Sequence, residues 1–161
     1  MSKTKIVAAP GKQEIVMTRD FDAPRELVYR VLTDPELRPQ WWGPRYLTTT
    51  IETMDTREGG SWRFIQRDPE GNAFAFRGVY HVVDAPSQVV ETFEFEGLPE
   101  RHVVLETTNL VEHDGVTTLT QTSVFQSVAD RDGMVASGME SGALESMDRV
   151  AELLASLPVG S

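Results

Sequence analysis

The chain has 161 residues, a length suited to one domain, with 40% hydrophobic and 25% charged residues, which excludes a disordered polymer. Its 15 Lys and Arg against 25 Asp and Glu leave a formal charge of −10, which argues against sequence-independent nucleic-acid binding and against attraction to anionic membranes. It has no cysteine, so disulfides, thiol catalysis and thiolate metal sites are excluded.

Residues 1–13 carry Lys3, Lys5 and Lys12 around the short stretch Ile6-Val7-Ala8-Ala9, too short for a signal-peptide core. They read as a flexible arm of a cytoplasmic protein, ahead of one domain over 14–161. No apolar run reaches the ~20 residues of a membrane helix. Glu14 to Phe21 is rich in strand-favouring residues and forms a first strand. Asp22 or Ala23 then caps a short helix opened by Pro24 and Glu26, with Leu27, Val28, Val31 and Leu32 on one face. Asp34-Pro35-Glu36 repeats the start signal, and Pro39 stops this second short helix just before Trp41-Trp42-Gly43-Pro44.

From Tyr46 to about Phe125 five turn signals separate six strands: Arg57 to Gly60, Asp68 to Asn72, Asp84 to Ser87, Glu96 to Pro99 and Glu112 to Gly115. Connections this short require antiparallel neighbours. Met139, Ala143, Met147, Val150, Leu154 and Leu157 recur at helical spacing, predicting one long helix from about 129–132 to just before Pro158. Gly133, Gly138 and Gly142 weaken its first half by ~1 kcal/mol each, which suits a face packed by something other than a side chain. The sum is an α+β domain in which about seven antiparallel strands curl around a long C-terminal helix.

Strand parity assigns the inner face. Trp62, Phe64 and Gln66 share one side of their strand, Phe74, Phe76, Gly78 and Tyr80 of the next, and Val89, Glu91, Phe93 and Phe95 of the one after. Glu91 interrupts an apolar stripe. Either a bulge turns it outward or an inward arginine pairs with it, or it is a polar anchor at the bottom of an aromatic pocket. Leu119, Gln121, Ser123 and Phe125 share a face of the last strand, with Asn109 placed near Gln121. That face is either inside the cavity or solvated. One of Trp41 and Trp42 is expected at a cavity mouth and the other in the core, with Trp42 the deeper. Met134 and Met139 serve as adaptable liners or as ordinary core. His81, His102 and His113 show no metal-ligand spacing, and no nucleophile or nucleotide motif occurs, so no catalytic or metal-binding residue and no cofactor is assigned.

The ordered set Phe21-Asp22-Ala23-Pro24, Thr33-Asp34-Pro35-Glu36, Trp41-Trp42-Gly43-Pro44, Gly59-Gly60-Ser61-Trp62-Arg63-Phe64, Gly71-Asn72, Gly78-Val79-Tyr80, Gly138-Met139-Glu140-Ser141-Gly142 and Leu144 to Arg149 spans roughly residues 14–157. It resembles the START-like (SRPBCC, Bet v-type) superfamily, and within it the Aha family, the activators of the heat-shock-protein-90 ATPase. The resemblance implies a helix-grip fold whose long helix and concave sheet enclose a cavity. It implies one of several functions, since relatives bind apolar or aromatic molecules, protect against a drug, act as polyketide cyclases or assist a chaperone. Where the family commonly has a large aromatic after the second helix glycine, this chain has Ala143, which enlarges that space.

The leading expectation is a protein that binds an apolar or aromatic small molecule through Trp41, Trp42, Trp62, Phe64, Phe76, Tyr80, Glu91, Phe93, Gln121, Met134, Met139 and Ala143. A co-chaperone-like module partnered by a chaperone ranks second, because residues 1–13 cannot stand in for the extra N-terminal domain of the eukaryotic activators. A cyclase- or hydrolase-type enzyme on a cyclic hydrophobic substrate, with Glu91 and Tyr80 as its acid–base pair, ranks third. The protein is expected as a monomer or as a homodimer through an edge strand.

Overall fold

Alternating burial along Glu14–Phe21 places Ile15, Met17, Arg19 and Phe21 on the inner face of a sheet, and the same alternation recurs through the later strands. The computed structural model describes residues 3–158. The strands are β1 (Lys5–Val7), β2 (Glu14–Phe21), β3 (Thr48–Met54), β4 (Ser61–Arg67), β5 (Ala73–Asp84), β6 (Gln88–Phe95), β7 (Val103–His113) and β8 (Val116–Val124). All neighbours are antiparallel, in the order β1-β2-β8-β7-β6-β5-β4-β3, so the sheet is open with β1 and β3 at its edges. Helix α1 (Arg25–Thr33) and a 3-10 turn (Arg38–Gln40) follow β2, and α2 (Val128–Ala136) and α3 (Met139–Ser156) close the chain. This is the helix-grip arrangement, with eight strands where the turn signals predict about seven.

Four local expectations are corrected. The segment read as a flexible arm contributes β1, in register with β2 through Lys5–Thr18, Ile6–Met17 and Val7–Val16. The N-cap of α1 is Pro24, whose carbonyl accepts from the N–H groups of Leu27 and Val28, while Glu112 accepts from the N–H of Arg25 at 2.8 Å. The second short helix is one 3-10 turn that contains Pro39 instead of stopping before it. The long terminal helix is two helices. Gly138 breaks it at φ 83°, a left-handed conformation that glycine adopts without a Cβ penalty.

The buried face of α1 (Leu27, Val28, Val31, Leu32) meets Met147, Val150 and Leu154 of α3 in one core with Phe21, Trp62, Phe64 and Leu119. Gly43, at φ 88°, ties the loop after the 3-10 turn to α3: its N–H donates to Ser146 at 2.9 Å and its carbonyl accepts from Arg149 at 2.8 Å. Gly78 is fixed by crowding. A Cβ there would lie 1.9 Å from the Thr92 carbonyl oxygen and 2.4 Å from the Trp62 indole nitrogen. Gly78→Ala is therefore expected to cost about 3 kcal/mol through overpacking, read as a lowered denaturant midpoint with an unchanged m-value.

An acidic pole in an aromatic cavity

The concave side of the sheet, α1, the 3-10 turn and the two terminal helices enclose a cavity of about 530 Å³. Its volume falls in the range of small-molecule sites. Ten of the twelve predicted residues line it: Trp41, Trp42, Phe76, Tyr80, Glu91, Phe93, Gln121, Met134, Met139 and Ala143. Trp62 and Phe64 do not. They are 1% and 0% exposed and sit behind Trp42, whose ring meets theirs edge-on at centroid distances of 6.3 and 5.1 Å. The order expected for the tryptophan pair is reversed. Trp41 is the buried one, its indole N–H donating to the Val31 carbonyl at 2.9 Å, while Trp42 is partly exposed and packs edge-on against Phe76 at 5.2 Å. Both border the cavity.

The last strand turns its Leu119–Gln121–Ser123 face inward. Gln121 pairs with Thr108 of β7 and donates to its hydroxyl at 3.3 Å. Asn109, expected beside Gln121, points the other way and accepts from Gln88 at 2.9 Å. On the helical side Met139, Ala143 and Met147 follow the i, i+4, i+8 stripe of α3, and Met134 comes from α2. Gly142 lies beside Pro44, whose ring carbon would be 3.7 Å from an added Cβ, while Gly133 and Gly138 have no neighbour that close.

The polar content is concentrated on one rung of the sheet. Tyr80 pairs with Glu91, Glu91 with Glu106, and Glu106 with Ser123. All four side chains line the cavity. The bulge that sequence allows for is present in β5 beyond this rung, between Tyr80 and Val82, and it leaves Glu91 facing inward at 5% exposure. The partner that sequence allows for is present as well: Arg38 of the 3-10 turn, 8% exposed, brings Nη2 to 4.0 Å from Glu91 Oε1. Arg38 also donates from Nη1 to the Leu32 carbonyl at 2.7 Å, and its guanidinium lies over the rings of Trp41 and Phe64 at 4.8 and 5.3 Å. Glu106 accepts from the Ser123 hydroxyl at 3.1 Å.

Two carboxyls therefore face one guanidinium in a low-dielectric space. Burial pushes the Glu91 carboxyl up, and Arg38 opposes it. Burial, followed by the charge of Glu91, pushes Glu106 up to about 7, against the opposing pull of Ser123 and Arg38. Tyr80 is pushed up to about 12, mainly by burial, so its phenol keeps its proton. Around this pole the lining is apolar: Val89 and Met17 on one side, Phe93, Val104 and Phe125 on the other.

Arg38 and Glu106 are site residues that sequence reasoning missed. Arg38 sits in a short segment that ends at a proline and reads as exposed. In β7 the outward set Val103, Leu105, Thr107, Asn109 and Val111 is about as apolar as the inward set of Val104, Glu106, Thr108 and Leu110, so the hydrophobic pattern does not select a face. The β6–β7 register, which sets Glu106 opposite Glu91, is the signal that would find it.

The comparisons agree with the fold. The family model described as Activator of Hsp90 ATPase homolog 1-like protein matches residues 22–155. A solution structure of a protein from Arthrobacter aurescens is similar with a TM-score of 0.88 and 23% identity, over 96% of this chain and 93% of that one. A crystal structure of a protein from Rhodobacter sphaeroides is similar with a TM-score of 0.84 and 26% identity, over 96% and 99%. The AHSA1 protein from Silicibacter pomeroyi is similar with a TM-score of 0.74 and 22% identity, over 88% and 97%. No curated protein matches the chain. Among the described residues, no helix is long and apolar enough to cross a membrane.

Proposed function

Since the chain belongs to the Activator of Hsp90 ATPase homolog 1-like family, whose shared helix-grip fold sets a helix over a concave sheet, we propose that it binds a small hydrophobic or aromatic molecule between α3 and the sheet. The observation that carries this reading is the cavity itself: about 530 Å³, walled by Trp42, Phe76, Phe93 and the methionines of the helices, with both its carboxyls on one rung of the sheet. Aromatic edges offer broad dispersion contact, and Met134, Met139 and Met147 adapt to the shape of a guest.

The test uses the neutral fluorophore N-phenyl-1-naphthylamine. Its emission should rise and shift to the blue on addition of the protein, with saturation at one molecule per chain. Ala143→Trp places an indole where α3 now leaves room, and should weaken this uptake by about tenfold or more, a loss of about 1.4 kcal/mol or greater. Unchanged affinity in the variant, or no uptake by the wild type, would overturn the reading.

One observation favours a second reading, an enzyme acting on a cyclic hydrophobic substrate. A cavity carboxyl held at about 7, on the same rung as the protonated Tyr80 with Glu91 between them, is matched to proton transfer near neutral pH. Turnover of a bound substrate with a pH dependence lost in Glu106→Gln would support it over simple carriage.

A further inference from the structure

We propose that the guest of this cavity is a hydrophobic amine, with its protonated nitrogen held between Glu91 and Glu106, and that the cavity rejects the carboxylic acid built on the same apolar body. This rests on the small-molecule-binding reading above and adds the chemistry of the head group.

Hydrogen-bonding capacity is left over at the pole. Arg38 spends Nη1 on the Leu32 carbonyl, turns Nη2 to Glu91, and has its faces covered by Trp41 and Phe64. Its Nε, like the Tyr80 hydroxyl, is buried with no hydrogen-bond partner, so donor capacity is left over beside acceptor capacity. Glu91 Oε2 is buried with no hydrogen-bond partner, and Glu106 receives only the Ser123 hydroxyl. Gln121, the nearest amide donor on the inner face, is engaged with Thr108. A guest that donates satisfies Glu91 Oε2 and one that accepts satisfies Arg38 Nε or the Tyr80 hydroxyl, so hydrogen bonding alone does not choose the head group.

Charge decides between a neutral donor and a cationic one. The groups facing Glu106 are Glu91 from β6, Tyr80 from β5, Ser123 from β8 and Arg38 from the 3-10 turn. The helices opposite contribute methionine, serine, glycine and alanine to the lining and no charged side chain. Two carboxyls against one guanidinium leave the pole one positive charge short of balance when both are ionised. In the empty cavity a proton on Glu106 makes up the difference, and burial first, with the charge of Glu91 second, pushes its carboxyl up to about 7. An ammonium group can take the place of that proton. An alcohol can satisfy an acceptor but cannot supply the charge, and a carboxylate would meet two like charges at low dielectric. The net charge of −10 also raises the local concentration of cations over anions.

The experiment compares three probes that share one naphthalene body: 1-(aminomethyl)naphthalene, 1-naphthalenemethanol and 1-naphthoic acid. Each is titrated by calorimetry at pH 7.5, with N-phenyl-1-naphthylamine measured in parallel. The amine should bind about tenfold tighter than the alcohol and about a hundredfold tighter than the acid, as expected for a charge-assisted hydrogen bond in place of a neutral one or a repulsion. Its affinity should fall about tenfold from pH 7.5 to 5.5 as Glu106 takes up a proton that the amine must displace. Buffers of different ionisation heat should report that proton's release. In Glu106→Gln the ratio of amine to alcohol affinity should fall towards one. A general change in cavity shape moves both probes and cancels in the ratio, and the wild-type pH profile carries the test should that variant fail to fold. Equal or tighter binding of the alcohol or the acid, or an amine affinity independent of pH, overturns the proposal. If N-phenyl-1-naphthylamine binds while the amine shows no preference, only the head-group assignment fails. If no probe enters, the binding reading fails with it.

Discussion

Glu106→Gln is expected to stabilise the ligand-free protein at pH 8 by on the order of 3 kcal/mol and to change little at pH 4. The cause is the carboxyl held at about 7 in the fold, against an ordinary value of 4.5. Between those two values the folded chain holds a proton that the unfolded chain has released, so rising pH favours unfolding. The stability present below about pH 4.5 drains away as pH climbs to about 7, and above that the fold carries an ionised carboxylate next to Glu91. Glutamine keeps the shape, can still accept from Ser123 and never ionises. Groups with depressed values, such as Glu94 beside Arg101 and Arg77, act in the opposite sense but equally in both proteins. The difference between wild type and variant therefore isolates Glu106. Urea unfolding at pH 4, 6 and 8 checks this, and a constant difference across the series would contradict it. A bound ammonium should erase most of the effect, because it supplies the charge that the proton otherwise provides.

Arg38→Met is expected to be the most damaging substitution at the site, at about 3–5 kcal/mol at pH 8. The methionine preserves bulk between Trp41 and Phe64 but removes the cation near Glu91 and the bond to the Leu32 carbonyl. A carboxylate with 5% exposure and no counter-charge either pays full desolvation or stays protonated. The penalty should accordingly shrink as pH falls. Adding Glu91→Gln should recover about 1–3 kcal/mol of the loss, the coupling typical of residues in one charged network. A double-mutant cycle by denaturant unfolding measures it, and strict additivity would show that Arg38 acts only through packing.

Strand parity carried most of what could be read without coordinates. Alternation groups Phe76 with Tyr80 and Glu91 with Phe93 on one face each, because a period of two is a local property and a turn signal fixes where each strand begins, but it leaves open whether Glu91 and the Gln121 face turn inward. The two misplaced liners follow from depth. Trp62 and Phe64 point inward as expected, but Trp42 lies over them, and the layer in which an inward side chain ends depends on contacts made by a distant loop. Arg38 and Glu106 were hidden for a related reason. Each looks like surface in its own segment, and each is covered only because another element meets it, Arg38 fully by Trp41 and Phe64 and Glu106 in part by its β6 and β8 neighbours. The break at Gly138 was visible as a run of glycines, yet periodicity continued across it and masked the left-handed residue. Strand β1 is too short for any periodic signal and owes its existence to the edge of β2.

The placement of the three tryptophans also decides what light can report. Trp41, Trp42 and Trp62 all stand near one wall, with Trp41 under the Arg38 guanidinium and the Trp42 and Trp62 rings at 72° to each other. Two indoles at 6.3 Å and that angle couple their transition dipoles, so the near-ultraviolet circular dichroism contains a contribution set by how Trp42 lies against Trp62. A guest that presses on Trp42 will register in both absorption and emission. One that lodges against Ile15, Phe125 and the helix methionines without touching Trp42 will change the indole signals less.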